Sequence, residues 1–329
     1  MFYSSMISGT LISISSISWL MIWIGLEINL LSIMPLLKNN KNIYSSEATI
    51  KYFIVQAMAS AIFLFSICLL SNLKIMNFYS NFFIIIILNS AILLKLGAAP
   101  FHAWFPEIIS GLNWNMIFIM STWQKIAPMI LISYTMNSSL FFSMVMILSS
   151  MISGFQGLNQ TMLQKIIAYS SINHVSWMIA CIMNSLSIWI LYFFIYFLIN
   201  LNIMMIFNLF NISHYIQLNK LFNSNKKLKF FFMMNFLSLG GLPPFLGFLP
   251  KWMTIYFMVK NNYYFTTYMM IIFSLFLLYM YLQITFSSLS MNSEESIIFS
   301  MKNYLFKPML FNLLINFGLI FCFFMYSMF

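Results

Sequence analysis

The chain has 329 residues, of which 62% are hydrophobic and only 6% are charged. Roughly a quarter of the residues in a water-soluble domain are charged, so this composition excludes a soluble globular protein and indicates an integral membrane protein. Every basic residue is a lysine and every acidic residue a glutamate, and the formal net charge of +10 raises the question of a nucleic-acid partner.

Apolar segments long enough to cross a bilayer follow one another along the whole chain. A spanning helix needs about 20 mostly apolar residues, and some have only about 17. Polar breaks separate eleven such segments, at residues 3–16, 18–37, 49–71, 80–100, 114–134, 139–157, 166–184, 186–211, 229–252, 262–287 and 307–328. The sequence therefore predicts an all-α polytopic membrane protein that forms a single transmembrane domain.

The lysines at the ends of these segments and between them are distributed very unequally between the two sides of the membrane. With eleven spans, Lys74 and Lys260 fall on one side. The other side, which carries the N-terminus, has Lys38, Lys41, Lys51, Lys165, Lys220, Lys226, Lys227, Lys229, Lys302 and Lys307. This bias follows the positive-inside rule and places the C-terminus opposite the N-terminus. It also argues against nucleic acid, since neither arginine nor exposed aromatic platforms accompany the lysines.

Four ionisable residues lie inside predicted spans: Glu27, Lys95, Lys125 and Lys251. Uncompensated, four such groups would cost on the order of 10–14 kcal/mol to insert. They are therefore expected to face a polar interior and to interact with one another, which makes them candidate functional residues. Lysine, unlike arginine, can exchange a proton when buried, so the pattern favours proton handling. A structural lysine neutralised by a carboxylate is the alternative for Lys125.

Glycine and proline interrupt the fourth and the ninth spans, in the stretches LLKLGAAPFHAWFPE and LGGLPPFLGFLPKW. Both contain a PFxxxxP element, from Pro100 to Pro106 and from Pro244 to Pro250. Proline removes a helical donor, and non-helical backbone at membrane depth is tolerated only inside protein or beside water. Two broken helices in corresponding positions indicate an inverted-repeat transporter with its site near the breaks. The alternative is that each is a kink or the start of a loop.

The seventh span carries one polar face in an otherwise apolar helix. Ser170, Asn173, His174 and Trp177 recur at helical spacing along it. This face is suited equally to a hydrogen-bonded proton path and to contacts between helices. Gln56 in the third span is a further candidate for the path. Of the other two histidines, His102 follows the first break, at a place suited to water entry, and His214 is expected at the surface.

No motif for a nucleotide or a flavin occurs. Cys68, Cys181 and Cys322 lie far apart, whereas iron–sulfur and zinc sites need clustered thiolates, so buried inert thiols are expected. The chain is therefore predicted to bind no cofactor or metal, and any redox chemistry belongs to a partner. The opening MFYSSMISGTLISI has no basic region, so a cleaved signal or transit peptide is not expected.

Five stretches resemble, in their order along the chain, the signatures of one family of membrane subunits. They are GLEINLLSIMPLL, LLKLGAAPFHAWFPE, TWQKIAPM, GLNQTMLQKIIAYSSINHVSWM and LSLGGLPPFLGFLPKW. Together they span about residues 18–260 and resemble the chain 2 family of NADH–ubiquinone oxidoreductase, in its insect forms. These are antiporter-like subunits of mitochondrial respiratory complex I. The segment after Asn261 resembles the family mainly in hydropathy.

The resemblance implies two inverted five-helix units, each with a broken helix. They would cover about residues 80–211 and about 229–328, the second incomplete in the spans predicted here, after N-terminal helices at 3–71. The lysine-rich side, with the N-terminus, would be the mitochondrial matrix, and the C-terminus would lie on the intermembrane-space side. One departure is Gln164, where related chains often carry a basic residue; it lies at a loop edge and affects local surface charge only.

The resemblance also implies roles for the buried charges. Glu27 and Lys95 would form a charge pair that modulates protonation. Lys125 would be the central relay, and Lys251 the lysine on the exit side. The polar residues of the seventh span would have secondary roles: Ser170, Asn173 and His174.

The expected function is that of a core membrane-arm subunit of complex I, which translocates protons across the mitochondrial inner membrane. Electron transfer from NADH to ubiquinone would occur in other subunits, which would bind NADH, FMN, iron–sulfur clusters and ubiquinone. The expected partners are the other membrane-arm subunits and membrane lipids, and no nucleic acid. Two alternatives stay open: a stand-alone monovalent cation/proton antiporter of the same fold, and a purely structural membrane-arm subunit.

Overall fold

The structure of the chain is a computed structural model that describes residues 1–39, 42–72, 78–136, 139–218 and 226–289. The eleventh predicted span, 307–328, lies outside the described residues. The same holds for Lys41, Lys74, Lys220, Lys302, Lys307 and Cys322.

The described residues are helical almost throughout, which confirms the predicted all-α class. The helices are α1 (Phe2–Ser15), α2 (Trp19–Leu37), α3 (Ile43–Asn72), α4 (Phe78–Leu96), α5 (Trp104–Ser110), α6 (Trp114–Ser121), α7 (Trp123–Tyr134), α8 (Ser139–Leu158), α9 (Leu163–Asn184), α10 (Leu186–Phe210), α11 (Lys226–Gly240), α12 (Phe248–Lys260) and α13 (Tyr264–Leu289). Within the described part of the chain, seven helical segments are long and apolar enough to cross a membrane. The total of eleven spans stays a prediction.

The chain divides into two compact units, Met1–Ser149 and Ser150–Phe329. The first contains α1 to α7, with Glu27, Lys95 and Lys125. The second contains α9 to α13, with Lys251 and the polar face of the seventh predicted span.

Small residues bring α1 and α2 of the first unit into close contact. A Cβ atom on Gly25 would lie 2.7 Å from the backbone nitrogen of Ser13 and 2.9 Å from the carbonyl oxygen of Gly9. On the other side, a Cβ atom on Gly9 would lie 2.9 Å from the backbone nitrogen of Asn29. Such small residues let helix backbones approach closely in a membrane, where apolar surface alone does not drive helices together. This contact fixes the position of α2, the helix that carries Glu27.

Replacing Gly25 with alanine is expected to destabilise the first unit. The added methyl group would meet backbone atoms of α1, which cannot rotate away, and overpacking typically costs about 1–3 kcal/mol. The thermal stability of the solubilised protein would measure the loss. Gly157→Ala is the matched control, because its Cβ would meet the flexible side chain of Met280, 3.3 Å from the sulfur. An equal loss of stability in both variants would contradict this assignment.

The first broken helix lies where the sequence predicts it. Helix α4 ends at Leu96, and Gly97 follows with φ of +70°, a conformation that favours glycine. The Gly97 nitrogen donates to the Leu94 carbonyl (3.2 Å) and the Ala98 nitrogen to the Leu93 carbonyl (3.2 Å). This is a Schellman motif, which satisfies the last carbonyls of a helix. The chain resumes as α5 at Trp104.

The second broken helix repeats this local geometry in the second unit. Helix α11 ends at Gly240, and Gly241 has φ of +77°. The Gly241 nitrogen donates to the Ser238 carbonyl (3.0 Å) and the Leu242 nitrogen to the Leu237 carbonyl (3.3 Å), which is again the Schellman pattern. Helix α12 begins at Phe248. Both interruptions therefore end one helix before the next begins, which excludes a simple kink for both; that each break lies within a membrane span stays a prediction.

The sequence did not predict a third interruption, which divides the fifth predicted span into α6 and α7. Between them, Thr122 adopts φ −118° and ψ −73°, and its hydroxyl donates to the Phe118 carbonyl at 2.6 Å. A threonine hydroxyl bonded to the preceding turn competes with the regular helical pattern. Pro128 has no backbone N–H, so it cannot donate to the carbonyl four residues before it, in the first turn of α7. The interruption lies three residues before Lys125.

Candidate functional site

Lys95 and Lys125 line the same buried cavity in the first unit. Lys95 lies in the last turn of α4 and is 9% exposed, whereas Lys125 lies in the first turn of α7 and is 2% exposed. The space open to the centre of a water molecule is about 20 Å³, and roughly 10–15 Å³ of this measure suffices for one water. The other polar side chains of the lining are Asn29, Tyr52, Gln56, Trp104 and Gln124. A single bridging water therefore fits beside the two lysines.

The first break supplies the apolar side of this cavity and positions Lys125. The Lys125 ammonium lies 5.2 Å from the centre of the Phe105 ring, within the range of a cation–π contact. Phe105 is the second residue of α5. Its neighbour Trp104 donates from Nε1 to the Leu94 carbonyl at 3.1 Å, which ties α5 to the last turn of α4. The break thus brings Lys95 and the ring that contacts Lys125 to the same place.

Glu27 acts electrostatically on Lys95 but does not touch it. In the described part of the chain, no ion pair joins Glu27 to a lysine, and the ion pairs present are those of Lys51. Glu27 Oε1 is buried and accepts no hydrogen bond from the residues described. The cavity of Lys95 and Lys125 is lined by Leu26 of the same helix turn but not by Glu27. The proposed charge pair is therefore a through-space interaction in this structure.

Glu27→Gln is expected to leave folding intact and to slow proton transfer through Lys95. Glutamine has nearly the same shape as glutamate, and among the described residues Glu27 forms no ion pair that the change could break. The charge that acts on Lys95 nevertheless disappears. For the proton-translocating function that the sequence resemblance implies, we expect NADH-driven translocation to fall about tenfold, as for the loss of one positioned charge in a low-dielectric site. Translocation normalised to the amount of assembled complex would measure it.

Glu47→Gln is the matched control for this variant. Glu47 is an exposed carboxylate on Lys51, 3.0 Å from its ammonium, and Glu107 binds the same ammonium at 3.0 Å. Exposed pairs contribute about 0–1 kcal/mol, so this variant should translocate normally. Equal activity of the Glu27 and Glu47 variants would contradict a role for the buried charge.

A pair of amides joins the helices of Glu27 and Lys125, and sequence reasoning missed it. Asn29 Nδ2 donates to Gln124 Oε1 at 3.0 Å, and Gln124 Nε2 donates to Asn29 Oδ1 at 2.9 Å. Gln56, predicted as a candidate for the path, donates to the Lys95 carbonyl at 3.4 Å and lines the same cavity. The signal in the sequence was an amide close to each of these two charges, Asn29 two positions after Glu27 and Gln124 directly before Lys125.

In the second unit, Lys251 closes the second break. Its ammonium donates to the Gly240 carbonyl at 2.8 Å and to the Leu239 carbonyl at 3.4 Å, at the C-terminal end of α11. A cation is favoured there, because the last carbonyls of a helix carry partial negative charge. The Trp177 ring lies 6.0 Å from the same ammonium. Lys251 is 8% exposed.

The two breaks use different side chains for the same task. In each, a side chain from the second half donates to a carbonyl in the last turn of the first half. The donor is the indole of Trp104 in the first break and the ammonium of Lys251 in the second. Indole is a donor that does not ionise, whereas lysine can gain or lose a proton. Lys251 directly follows the second PFxxxxP element, and the residue that directly follows the first is Glu107. Glu107 is exposed and forms an ion pair with Lys51.

The polar face of α9 is divided among several partners. His174 Nδ1 and the Tyr192 hydroxyl are 2.8 Å apart, and the Tyr196 ring packs 4.8 Å from the histidine ring. Ser170 Oγ donates to the Ile167 carbonyl of its own helix at 2.7 Å. Asn173 is 3% exposed, and its Oδ1 has no hydrogen-bond partner among the residues that the structure describes. The sequence identified this face but not its tyrosines, which lie on other helices.

Two histidines and two cysteines lie outside this site. His214 is exposed, as predicted, and His102 Nδ1 lies 3.3 Å from the Pro100 carbonyl at the first break. Cys181 is buried, as predicted, but Cys68 is exposed, so the prediction of a buried thiol is wrong there. Cys68 lies on the outward face of α3, which an apolar sequence alone does not distinguish from the inward face.

Known proteins match this chain over most of its length. A family model described as NADH:quinone oxidoreductase/Mrp antiporter, TM, matches residues 16–278. NADH-ubiquinone oxidoreductase chain 2 of Anopheles gambiae is 44% identical over 322 residues, which are 96% of this chain and 93% of the relative.

Solved structures share the fold at lower sequence identity. A chain of respiratory complex I from Thermus thermophilus has a TM-score of 0.86 and 21% identity, over 97% of this chain and 77% of that one. A chain of the Mrp complex from Dietzia sp. has a TM-score of 0.76 and 14% identity, over 86% of this chain and 59% of that one. These likenesses establish an antiporter-like membrane fold.

Proposed function

Because this chain belongs to the NADH-ubiquinone oxidoreductase chain 2 family, within the NADH:quinone oxidoreductase/Mrp antiporter proteins, we propose that it translocates protons as a core membrane-arm subunit of respiratory complex I. It is then part of an enzyme, an H⁺-translocating NADH:ubiquinone reductase. The redox chemistry takes place in other subunits, which bind NADH, FMN, iron–sulfur clusters and ubiquinone. This chain itself binds no cofactor and no metal.

The observation that carries the proposal is the cavity shared by Lys95 and Lys125. The two lysines are buried beside a broken helix, and their cavity has room for a water. We infer that they are a pair of proton sites that exchange a proton through this water. Moving one charge across the membrane takes roughly 2.3 kcal/mol per 100 mV. The interaction energy between buried charges is several kcal/mol, so a change in that energy is large enough to supply the work of moving one proton.

The roles proposed for the individual residues are those that the family resemblance implies. Glu27 tunes the proton affinity of Lys95 through space, and Lys125 is the central relay. In the second unit, Lys251 is the proposed exit-side site: in the part of the chain that the structure describes, its ammonium donates to two carbonyls at the break and pairs with no carboxylate. Three residues of α9 have secondary roles in the path: Ser170, Asn173 and His174.

The proposed location is the mitochondrial inner membrane. The lysine bias supports an N-terminus in the matrix and a C-terminus on the intermembrane-space side. The partners are the other membrane-arm subunits and membrane lipids, with no nucleic acid. The two breaks, which share one local geometry, support the proposal of two repeated units, at about 80–211 and 229–328.

A stand-alone monovalent cation/proton antiporter is the second candidate function, favoured by the likeness to a chain of the Mrp complex. It would use the same buried lysines but would need no redox partner. The high identity to chain 2 relatives over nearly the whole length argues for the complex I subunit instead. A purely structural subunit is disfavoured by the buried charges, each of which costs about 2.5–3.5 kcal/mol to insert.

Native electrophoresis of mildly solubilised membranes, with mass spectrometry of the band that contains this chain, tests the assignment. Co-migration with NADH dehydrogenase activity and iron–sulfur subunits is the expected result. A small band free of those subunits, from intact and active membranes, would overturn the assignment and favour the antiporter.

A further inference from the structure

The amide pair of Asn29 and Gln124 joins two helices that each carry a buried charge. The two residues are 95 positions apart, and each amide donates one hydrogen bond to the other and accepts one in return, at 3.0 and 2.9 Å. Glu27 precedes Asn29 by two residues on α2, and Lys125 follows Gln124 directly on α7. The pair therefore connects the turn that carries Glu27 to the turn that carries Lys125.

The surroundings hold this pair in place from several sides. Asn29 is 5% exposed, and its backbone packs against α1 at Gly9, where even a Cβ atom would come within 2.9 Å. Gln124 follows the interruption at Thr122, so the start of α7 is not held by a continuous helix from α6. The amide pair is a direct polar link between that start and α2. A shift of α2 along its axis would break both hydrogen bonds at once.

Both amides also line the cavity of Lys95 and Lys125. We propose that Asn29 and Gln124 are positioning residues for proton transfer between these lysines. The two amides fix the place of Lys125 and keep one wall of the cavity polar but uncharged. This inference rests on the proposed function, since it concerns the same proton path. It gives a role to two residues for which the resemblance implied none.

The chemistry of the amide explains why this wall is suited to the task. After the mutual hydrogen bonds, each amide keeps one N–H and one oxygen lone pair, which are available to a water in the cavity. An amide does not ionise, so it orients water without holding the transferred proton. The ionisable groups around the pair are Glu27 on α2, Tyr52 on α3, Lys95 on α4 and Lys125 on α7. A carboxylate in place of Asn29 would add a second negative charge near both lysines and would hold their protons.

The test compares single replacements with an exchange of the two residues in the assembled complex. Asn29→Leu and Gln124→Leu each leave one buried amide unpaired, and each is expected to lower the ratio of protons translocated to NADH oxidised, with turnover falling about tenfold. The double variant Asn29→Gln with Gln124→Asn keeps the summed length and both kinds of hydrogen bond. It is expected to restore turnover to within about twofold of the unaltered complex.

A charge-changing variant separates positioning from simple stability. Asn29→Asp preserves shape and one of the two hydrogen bonds, and it is expected to assemble normally while the pH dependence of coupled turnover moves to higher pH. Asn184→Leu is the matched control, because Asn184 accepts an exposed amide hydrogen bond from Asn261 at 2.6 Å and does not line this cavity. It should leave both turnover and pH dependence unchanged.

The outcomes distinguish this inference from the proposed function. If the leucine variants translocate normally, or if the exchange variant is as impaired as the two single variants combined, the positioning role is wrong. Lys125→Met serves as the reference in the same preparation. If Lys125→Met also translocates normally, the proposed function itself fails. If Lys125→Met is inactive while the leucine variants are active, the proposed function stands but the role of the amide pair does not.

Discussion

Lys125→Met is expected to stop NADH-driven proton translocation while the complex still assembles. Methionine has a similar length and is apolar, so it fills the buried site without a charge to be compensated. The variant loses the second proton site of the cavity shared with Lys95. Loss of a positioned proton donor costs about 10²- to 10⁴-fold in rate, so translocation and the coupled NADH oxidation should fall at least tenfold. Proton uptake by proteoliposomes that contain the assembled complex would measure it.

The control is a second lysine exchanged for the same residue. Lys260 is exposed in the last turn of α12, and Lys260→Met should leave translocation within about twofold of normal, since exposed charges contribute little. Normal translocation by a fully assembled Lys125→Met complex would support the structural subunit instead. Failure of both variants to assemble would point to a general sensitivity to lost lysines, which Lys125→Gln, with a neutral polar side chain, would then separate from the proton role.

The breaks and the buried charges could be predicted because their signals are local. A glycine that must adopt positive φ, followed by proline, marks the end of a helix in any surroundings. A lysine within an apolar span is similarly conspicuous, since the cost of burying it implies a polar environment. Each feature can be recognised from a few neighbouring residues. The structure has the first break at Gly97 and the second at Gly241.

The partners of these groups could not be predicted, because contacts across a helical membrane protein join distant parts of the chain. Gln124 meets Asn29 across 95 residues, and Tyr192 approaches His174 from another helix. Helical periodicity indicates which residues share a face but not which helix that face meets. The same limit explains Glu27, for which the resemblance implied a charge pair with Lys95, whereas the structure shows attraction without contact.

The contrast between the two breaks has a mechanistic consequence. The first break is closed by the indole N–H of Trp104, which does not ionise, and the second by the ammonium of Lys251. Hydrogen bonds to charged groups contribute about 1.5–3 kcal/mol, roughly twice the value for neutral donors. The closure of the second break therefore depends on the proton that Lys251 carries, whereas the closure of the first does not. This dependence would link proton release at Lys251 to a local change of α11 and α12.

Gly241→Ala should disrupt the second break by acting on Lys251. Its φ of +77° costs a residue with a side chain about 1–2 kcal/mol. In addition, the new Cβ atom would lie 2.7 Å from Lys251 Cδ and 3.1 Å from its Nζ, so the lysine would leave the Gly240 and Leu239 carbonyls. We expect lower thermal stability and at least about tenfold slower proton translocation per assembled complex.

The adjacent residue provides the control, and a double variant identifies the cause. Gly240→Ala places its Cβ atom 3.5 Å from Tyr281 and 3.6 Å from Leu278, at ordinary contact distance, so it should have little effect. If Gly241→Ala acts through Lys251, its combination with Lys251→Met should translocate no worse than Lys251→Met alone, because effects through a shared group are not additive. Additive losses would mean that backbone strain at the break, and not the displaced ammonium, limits translocation.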